Sequence, residues 1–176
     1  MATQEMLFAG FGGQGILSMA KFLAYAGMDA NMSVSWLPSY GPEMRGGTAN
    51  CSVILTDDSV GSPIVITPDS LIVMNRPSLD KFEDTIKKNG LLIMDCDLVT
   101  RDPQRTDVEI LKIPAQTEAT KLGSPKIANM VLLGALVAKT KIVDMEVLLG
   151  ALKAHGKEKF YELNKTALEV GASYVK

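Results

Sequence analysis

The chain has 176 residues, 47% of them hydrophobic, and a formal charge of −2. That is enough apolar material for one buried core, so a single domain over residues 1–176 is expected. The slight acidic balance argues against a general nucleic-acid binder, which carries a basic excess. The longest apolar stretch, residues 130–138 with Gly134 inside it, falls far short of the about 20 helical residues that cross a bilayer. The opening residues lack the basic region, apolar run and small-residue cleavage site of a secretory signal. The expectation is a cytoplasmic domain with no membrane and no nucleic-acid partner.

In chain order, Met6-Leu7-Phe8-Ala9 reads as an apolar strand, followed at once by Gly10-Phe11-Gly12-Gly13-Gln14-Gly15. Strand, glycine turn and helix in that order give the G-x-G-x-x-G pattern its meaning. Gly10 is expected to permit a tight turn, Gly12 to let the backbone approach a ligand, and Gly15 to let helix and strand pack closely. Ile16, Met19, Ala20, Leu23 and Ala24 then recur at helical spacing and place one apolar stripe against the sheet. The first N–H groups of that helix lack backbone partners, which makes the turn a candidate anion site. Its candidate residues are Gly10, Gly12, Gly13, Gln14 and Gly15. A dinucleotide binder also needs an acid about 20 residues further on to hold a ribose. Here the second strand, Ser33–Leu37, leads into Pro38-Ser39-Tyr40-Gly41 with no carboxylate. An anion site is expected; a nicotinamide site is not.

The loop from Pro38 to Thr48 combines two prolines with Gly46 and Gly47, a stiff first half and a permissive second. If the first two strands are parallel and joined by the helix at 16–28, both glycine loops leave carboxyl ends and flank one crevice, where open α/β sheets bind ligands. Tyr40 and Arg45 are then candidates for that crevice or for a subunit contact, Arg45 through its bidentate fork. Equally open is a pairing of Glu43 with Arg45, or of either with a partner chain.

Residues 49–56 read as a strand that ends at Asp57-Asp58. Leu71–Met74 and Leu91–Met94 are apolar runs expected of strands buried on both faces. Between them Leu79, Phe82 and Ile86 mark a helix stopping at Asn89-Gly90, and Val108–Ile113 is a further strand. From Ser124 onward the pattern is helical. Ser124 is an expected N-cap with Pro125 at the first helical position, ahead of a helix apolar nearly all round. Asp144 is expected to cap a second helix, and a third carrying Phe160, Leu163 and Ala167 is expected to stop at Gly171. The fold class is α/β, a Rossmann-like layered sandwich with a largely parallel sheet and a helical C-terminal third.

Few residues point to chemistry. Cys51 and Cys96 stand apart without C-x-x-C spacing and read as small buried hydrophobes on strands. His155 is the single histidine, among Lys153, Lys157 and Lys159, and reads as part of a solvated basic face. Ser18 and Ser39 have no activating pattern. Asp57-Asp58 and the Asp95/Asp97 pair read as strand-end turns. Trp36 and Tyr40 read as packing or interface residues rather than an adenine stack. No catalytic residue and no metal site is expected in the chain itself.

Gly10–Ile16, followed by Ser39-Tyr40-Gly41-Pro42-Glu43-Met44-Arg45-Gly46-Gly47-Thr48-Ala49-Asn50-Cys51, closely resembles the gamma subunit of 2-oxoacid:ferredoxin oxidoreductases, in the pyruvate/ketoisovalerate oxidoreductase gamma family. The length and helical tail fit too, so the resemblance covers essentially the whole chain. The second motif is more similar to the 2-oxoglutarate or branched-chain enzymes than to the pyruvate ones, with 2-oxoglutarate the expected substrate. The resemblance implies a multi-subunit enzyme that converts a 2-oxoacid and coenzyme A to acyl-CoA and carbon dioxide while reducing ferredoxin. Thiamine diphosphate with magnesium, and iron–sulfur clusters, are implied on alpha and beta partners and a ferredoxin-like delta partner. The chain has no Gly-Asp-Gly followed by a distant Asn, and two isolated cysteines cannot supply the thiolates a cluster needs. It is expected to bind none of those groups alone, with coenzyme A as co-substrate. Two other readings stand beside this one: a freestanding nucleotide- or cofactor-binding protein, and a structural assembly module.

Overall fold

The computed structural model describes residues 2–40 and 48–175. The elements are β1 (Thr3–Phe11), α1 (Ile16–Asp29), β2 (Ser33–Tyr40), β3 (Thr48–Thr56), β4 (Ser70–Val73), α2 (Arg76–Phe82), β5 (Leu91–Asp95) and β6 (Glu109–Ile113), then α3 (Ala115–Lys121), α4 (Ala128–Thr140), α5 (Met145–His155) and α6 (Tyr161–Ser173). Among the described residues the strands form one sheet in the order β2-β3-β1-β4-β5-β6. β1, β4, β5 and β6 pair in parallel, whereas β3 is antiparallel to both β1 and β2. The expected α/β architecture with a largely parallel sheet is present. β1 and β2 do run the same way, but β3 lies between them. Residues 41–47 are too few for a parallel crossover, which needs about a dozen, so the chain after β2 returns as an antiparallel neighbour.

Alternation along the central strands sorts side chains onto two faces. Met6 and Phe8 of β1, Cys51, Val53 and Leu55 of β3, and Ile72 and Ile93 face a large core shared with α1, α4, α5 and α6. Leu7, Leu71, Val73, Leu92 and Met94 face a smaller core closed by Leu79 of α2, Ile86 and Val99. The five residues predicted for the α1 stripe are all buried. α4 is buried from Ala128 to Val137, as its all-round apolarity requires.

Several local expectations change. Ser124 caps a 3₁₀ turn at Pro125–Ile127, accepting from the Lys126 N–H at 3.3 Å, and α4 follows that turn. Asp144 sits at the N-cap of α5, but its side chain makes no cap bond. Its carbonyl takes the Val147 and Leu148 N–H groups instead. α2 ends at Phe82 and continues as a 3₁₀ turn over Glu83–Thr85. Asn89, with φ 64°, serves the turn into β5 rather than a helix stop. Cys51 lies on β3 as expected, but Cys96 is half-buried in the turn after β5.

Gly171 is not a stop; it lies inside α6 and faces α4. A Cβ there would collide with the Val131 carbonyl, and one at Gly134 would collide with the Leu168 carbonyl. These two glycines let the helix backbones touch, and nothing larger fits. Gly171→Ala is therefore expected to destabilise the fold by about 2–3 kcal/mol through overpacking. Gly150→Ala in α5, where a Cβ meets nothing within 4 Å, should be neutral or stabilising by up to about 1 kcal/mol. Urea unfolding of the two variants beside the parent checks both.

Candidate functional site

The glycine run does not begin as a turn. Gly10 and Phe11 are still in β1, paired with Ala49 and Thr48. A Cβ on Gly10 would lie 2.6 Å from the Gln14 side chain, so Gly10 makes room for that side chain rather than for a sharp bend. The bend comes at Gly13 (φ 93°) and Gly15 (φ 77°), conformations that side chains resist. Gln14 closes the loop on itself. Its Oε1 accepts from the Phe11 N–H at 2.6 Å, and its Nε2 donates to the Met74 carbonyl at 3.0 Å, tying the ends of β1 and β4 together. Gln14 is thus a structural clasp and not a free donor to a ligand. Gly15 packs close to Asn129 at the start of α4, whose Nδ2 donates to the Gly15 carbonyl at 3.1 Å. Its close approach is to α4, not to the sheet. No side chain caps α1, and no acid lies in its first turn, so its leading N–H groups remain available to an anion.

The strands that flank the second loop end where the first motif begins, at one end of the sheet. Gly10 pairs with Ala49, and Ala49 pairs with Tyr40, so both motifs leave the same edge with β3 between them. Tyr40 is placed by its backbone at that edge. Arg45 lies outside the described residues.

The same edge carries a buried carboxylate. Asp95, at the end of β5, is fully buried, and its Oδ1 accepts from the Asp97 N–H at 3.1 Å while Oδ2 has no partner. Burial pushes its carboxyl up to about 6, against the backbone N–H groups of Asp97, Gln116 and Ala115 that favour the charge, while the neighbouring Asp97 carboxylate adds to the rise. Asn75, after β4, caps α2 by accepting from the Ser78 N–H at 2.8 Å, and its Nδ2 is also unpartnered. Asp95 serves the expected strand-end turn through the Asp97 N–H, but its carboxylate is buried. The available signal was its position directly after the unbroken apolar run Leu91–Met94. Asp97 instead reaches a distant segment, its Oδ2 accepting from the Thr117 N–H in the first turn of α3 at 2.7 Å. Burial pushes the Cys51 thiol up to about 12, which leaves it an unreactive core residue. Among the described residues no cluster of three or more His, Cys, Asp and Glu gathers as for a metal ion.

His155 is not simply part of a solvated face. It stacks parallel on Tyr25, with ring centroids 3.7 Å apart and planes 8° apart. The pair borders a cleft of about 450 Å³ between α1, the start of α4 and the chain after α5. Spacing alone could not show this, because α1 and α5 meet only in the folded chain.

A family model described as pyruvate ferredoxin/flavodoxin oxidoreductase matches residues 5–174. The chain belongs to that family. The resemblance carried by the two glycine motifs is thereby borne out. Among its relatives, the ketoisovalerate oxidoreductase subunit VorA of Methanothermobacter thermautotrophicus is 41% identical over 171 residues, covering 96% of this chain and 35% of that protein. The chain thus spans about a third of the length of the ketoisovalerate relatives it matches. The 2-oxoglutarate synthase subunit KorC of Methanocaldococcus jannaschii is 38% identical over 146 residues, 81% of this chain and 78% of KorC. The solved gamma subunit of a keto/oxoacid ferredoxin oxidoreductase from Geobacter sulfurreducens matches with a TM-score of 0.85 at 32% identity, over 97% of each chain. No described helix is long and apolar enough to cross a membrane.

Two outcomes follow from this family member's geometry. The native Asp95 carboxyl holds its proton more tightly than in the unfolded chain, so its own contribution to stability is fullest at low pH and is lost as pH rises from about 4 through about 6. Asp95→Asn should flatten that decline and gain about 1–3 kcal/mol at pH 7 relative to the parent, read from melting temperature against pH. Gln14→Ala should lose both clasp bonds, costing about 1–2 kcal/mol. Amide exchange at Phe11 should rise more than exchange in α4.

Proposed function

We propose that this chain is the gamma subunit of a 2-oxoacid:ferredoxin oxidoreductase. What carries the reading is the end-to-end correspondence with a gamma subunit at 32% identity over 97% of both chains. In this reading the complex oxidatively decarboxylates a 2-oxoacid with coenzyme A, giving acyl-CoA, carbon dioxide and reduced ferredoxin. 2-Oxoglutarate is the proposed substrate. The relative named for it is matched over 78% of its own length, and a branched-chain 2-oxoacid is the competing choice. Thiamine diphosphate, magnesium and the iron–sulfur clusters belong to alpha and beta partners and a ferredoxin-like delta partner. When bound there, thiamine diphosphate stabilises the carbanion left by decarboxylation and the clusters carry its electrons away.

The role of this chain is then to present the shared edge of β1, β2 and β3 to that assembly. The uncapped start of α1 is the candidate anion contact. Gly10, Gly12, Gly13, Gln14 and Gly15 shape it, and Tyr40 and Arg45 are the candidate contacts with a partner or coenzyme A. The reading also places the chain in the cytoplasm.

Tagged chain recovered anaerobically from its native cell should bring thiamine- and cluster-bearing subunits with it. The recovered complex should reduce ferredoxin in the presence of coenzyme A and 2-oxoglutarate, faster than with pyruvate. Recovery of the chain alone, stable and monodisperse, would overturn the subunit reading. Within the complex, Arg45→Ala should raise the KM for coenzyme A or weaken subunit recovery. Unchanged values for both would remove Arg45 from the site.

A further inference from the structure

The two faces of the sheet are unequally covered. On the face of the large core, α1 packs on β2 and β3 as well as on β1. On the opposite face α2 lies over β1 and β4. Beyond α2, the cover over β3 and β2 comes from the coil that follows β3 rather than from a helix. The register shows which side chains this leaves. Leu7, which faces the smaller core, pairs with Ser52, and Ser52 pairs with Leu37. Leu37 therefore lies on that face, and so does Phe11, an even number of residues after Leu7 in β1. Sheets in α/β folds are covered by helices on both faces. One half of this sheet lacks its second layer.

That half-face is apolar in part and carries no charge. Phe11 is 36% exposed and Leu37 38%, while Ile64 and Ile66 of the covering coil are 60% and 78% exposed. Leu7, Leu37, Ile64, Ile66 and Phe82 line a groove of about 380 Å³. Among the described residues that line it none is charged, and the polar ones, such as Ser39, Asn50 and Ser52, are hydroxyls and an amide. The sequence around it is equally bare. No charged residue occurs in residues 30–42 or 59–68, although 22% of the chain is charged. β2 is also an edge of the sheet. Edge strands are ordinarily guarded by charged side chains or proline, and β2 has only Pro38. An uncharged edge beside exposed aliphatic side chains is a surface built to be covered.

We propose that this half-face docks a partner subunit, which supplies the absent layer as an amphipathic helix seated by its apolar side in the groove. Three observations select that occupant. The groove is concave, so a two-fold copy of the chain would set hollow against hollow, whereas a helix offers a ridge. Its uncharged lining would leave a buried acid or base without a counter-ion, which favours an apolar segment. The matched ketoisovalerate relatives carry the corresponding segment as about a third of a longer chain, so further polypeptide is tied to it there. Pro38 and Ser39 line the groove at the end of β2 where the second motif begins. The inference deepens the subunit reading and rests on it.

The complex recovered anaerobically on tagged chain tests it. Ile64→Lys with Ile66→Lys places two charges in the groove wall, and both side chains are exposed, so the melting temperature of the chain should not change. Assembly of this variant with the partner subunits should require at least about tenfold higher concentration than that of the parent. Met28→Lys, at the end of α1 and 59% exposed, should assemble as the parent does. A photoreactive benzophenone side chain at position 66 should cross-link to a partner subunit, through a segment with helical apolar spacing when mapped by mass. Parent chain recovered without partners would overturn the subunit reading and the docking surface with it. A parent that assembles, matched by an equally tight double lysine variant, would overturn the surface alone. Cross-links to a second copy of the chain, or to a charged segment of a partner, would overturn the assigned occupant.

Discussion

Everything in this fold that bears on function is held by the burial of α4. Its residues from Ala128 to Val137 are enclosed between the sheet and α6, each large apolar side chain contributing about 1.5–3 kcal/mol on leaving water. That burial is possible because Gly134 and Gly171 remove the side chains that would hold the two helices apart. A helix fixed so firmly can serve as a reference surface for less constrained parts. Asn129 at its start reaches the carbonyl of Gly15, and so the first turn of α1 is positioned by α4 as well as by β1.

The glycine turn is better understood as a clasped joint than as an open cradle. Gln14 satisfies the Phe11 N–H and the Met74 carbonyl together, which spares two backbone groups the cost of being left without partners. The positive φ angles at Gly13 and Gly15 are the geometric condition for that clasp. The outcome is a rigid end to the central strands, with the uncapped start of α1 facing outward. Rigidity there suits the partner contact proposed for this end of the strands, since little ordering entropy is lost when such a surface is covered.

Polar groups buried at the ends of β4 and β5 stand in a different balance. Asn75 and Asp95 each make one good hydrogen bond and leave one atom without a partner. Desolvation then dominates the Asp95 carboxyl, and its proton affinity rises. The cleft lined by Lys21, Lys126 and Lys157 shows the opposite arrangement, with charge left in contact with solvent and no acid among its lining residues.

Much was legible in the sequence because local signals coincided. The apolar runs at Met6–Ala9, Leu71–Met74 and Leu91–Met94 are strands almost where periodicity puts them, and the α1 stripe is buried residue for residue. Two glycine motifs at a fixed separation sufficed for the family; in the first, Gly13 and Gly15 answer to a positive φ and Gly10 to the close approach of the Gln14 side chain. What only the tertiary structure decided are contacts between distant segments. The sequence could not show β3 lying between β1 and β2, Gln14 reaching Met74 or Gly171 meeting Val131. Nor could it show His155 lying on Tyr25 above a basic cleft. Hydrophobic period reports which face of an element is buried and is silent on what it is buried against, and these features depend on that second fact.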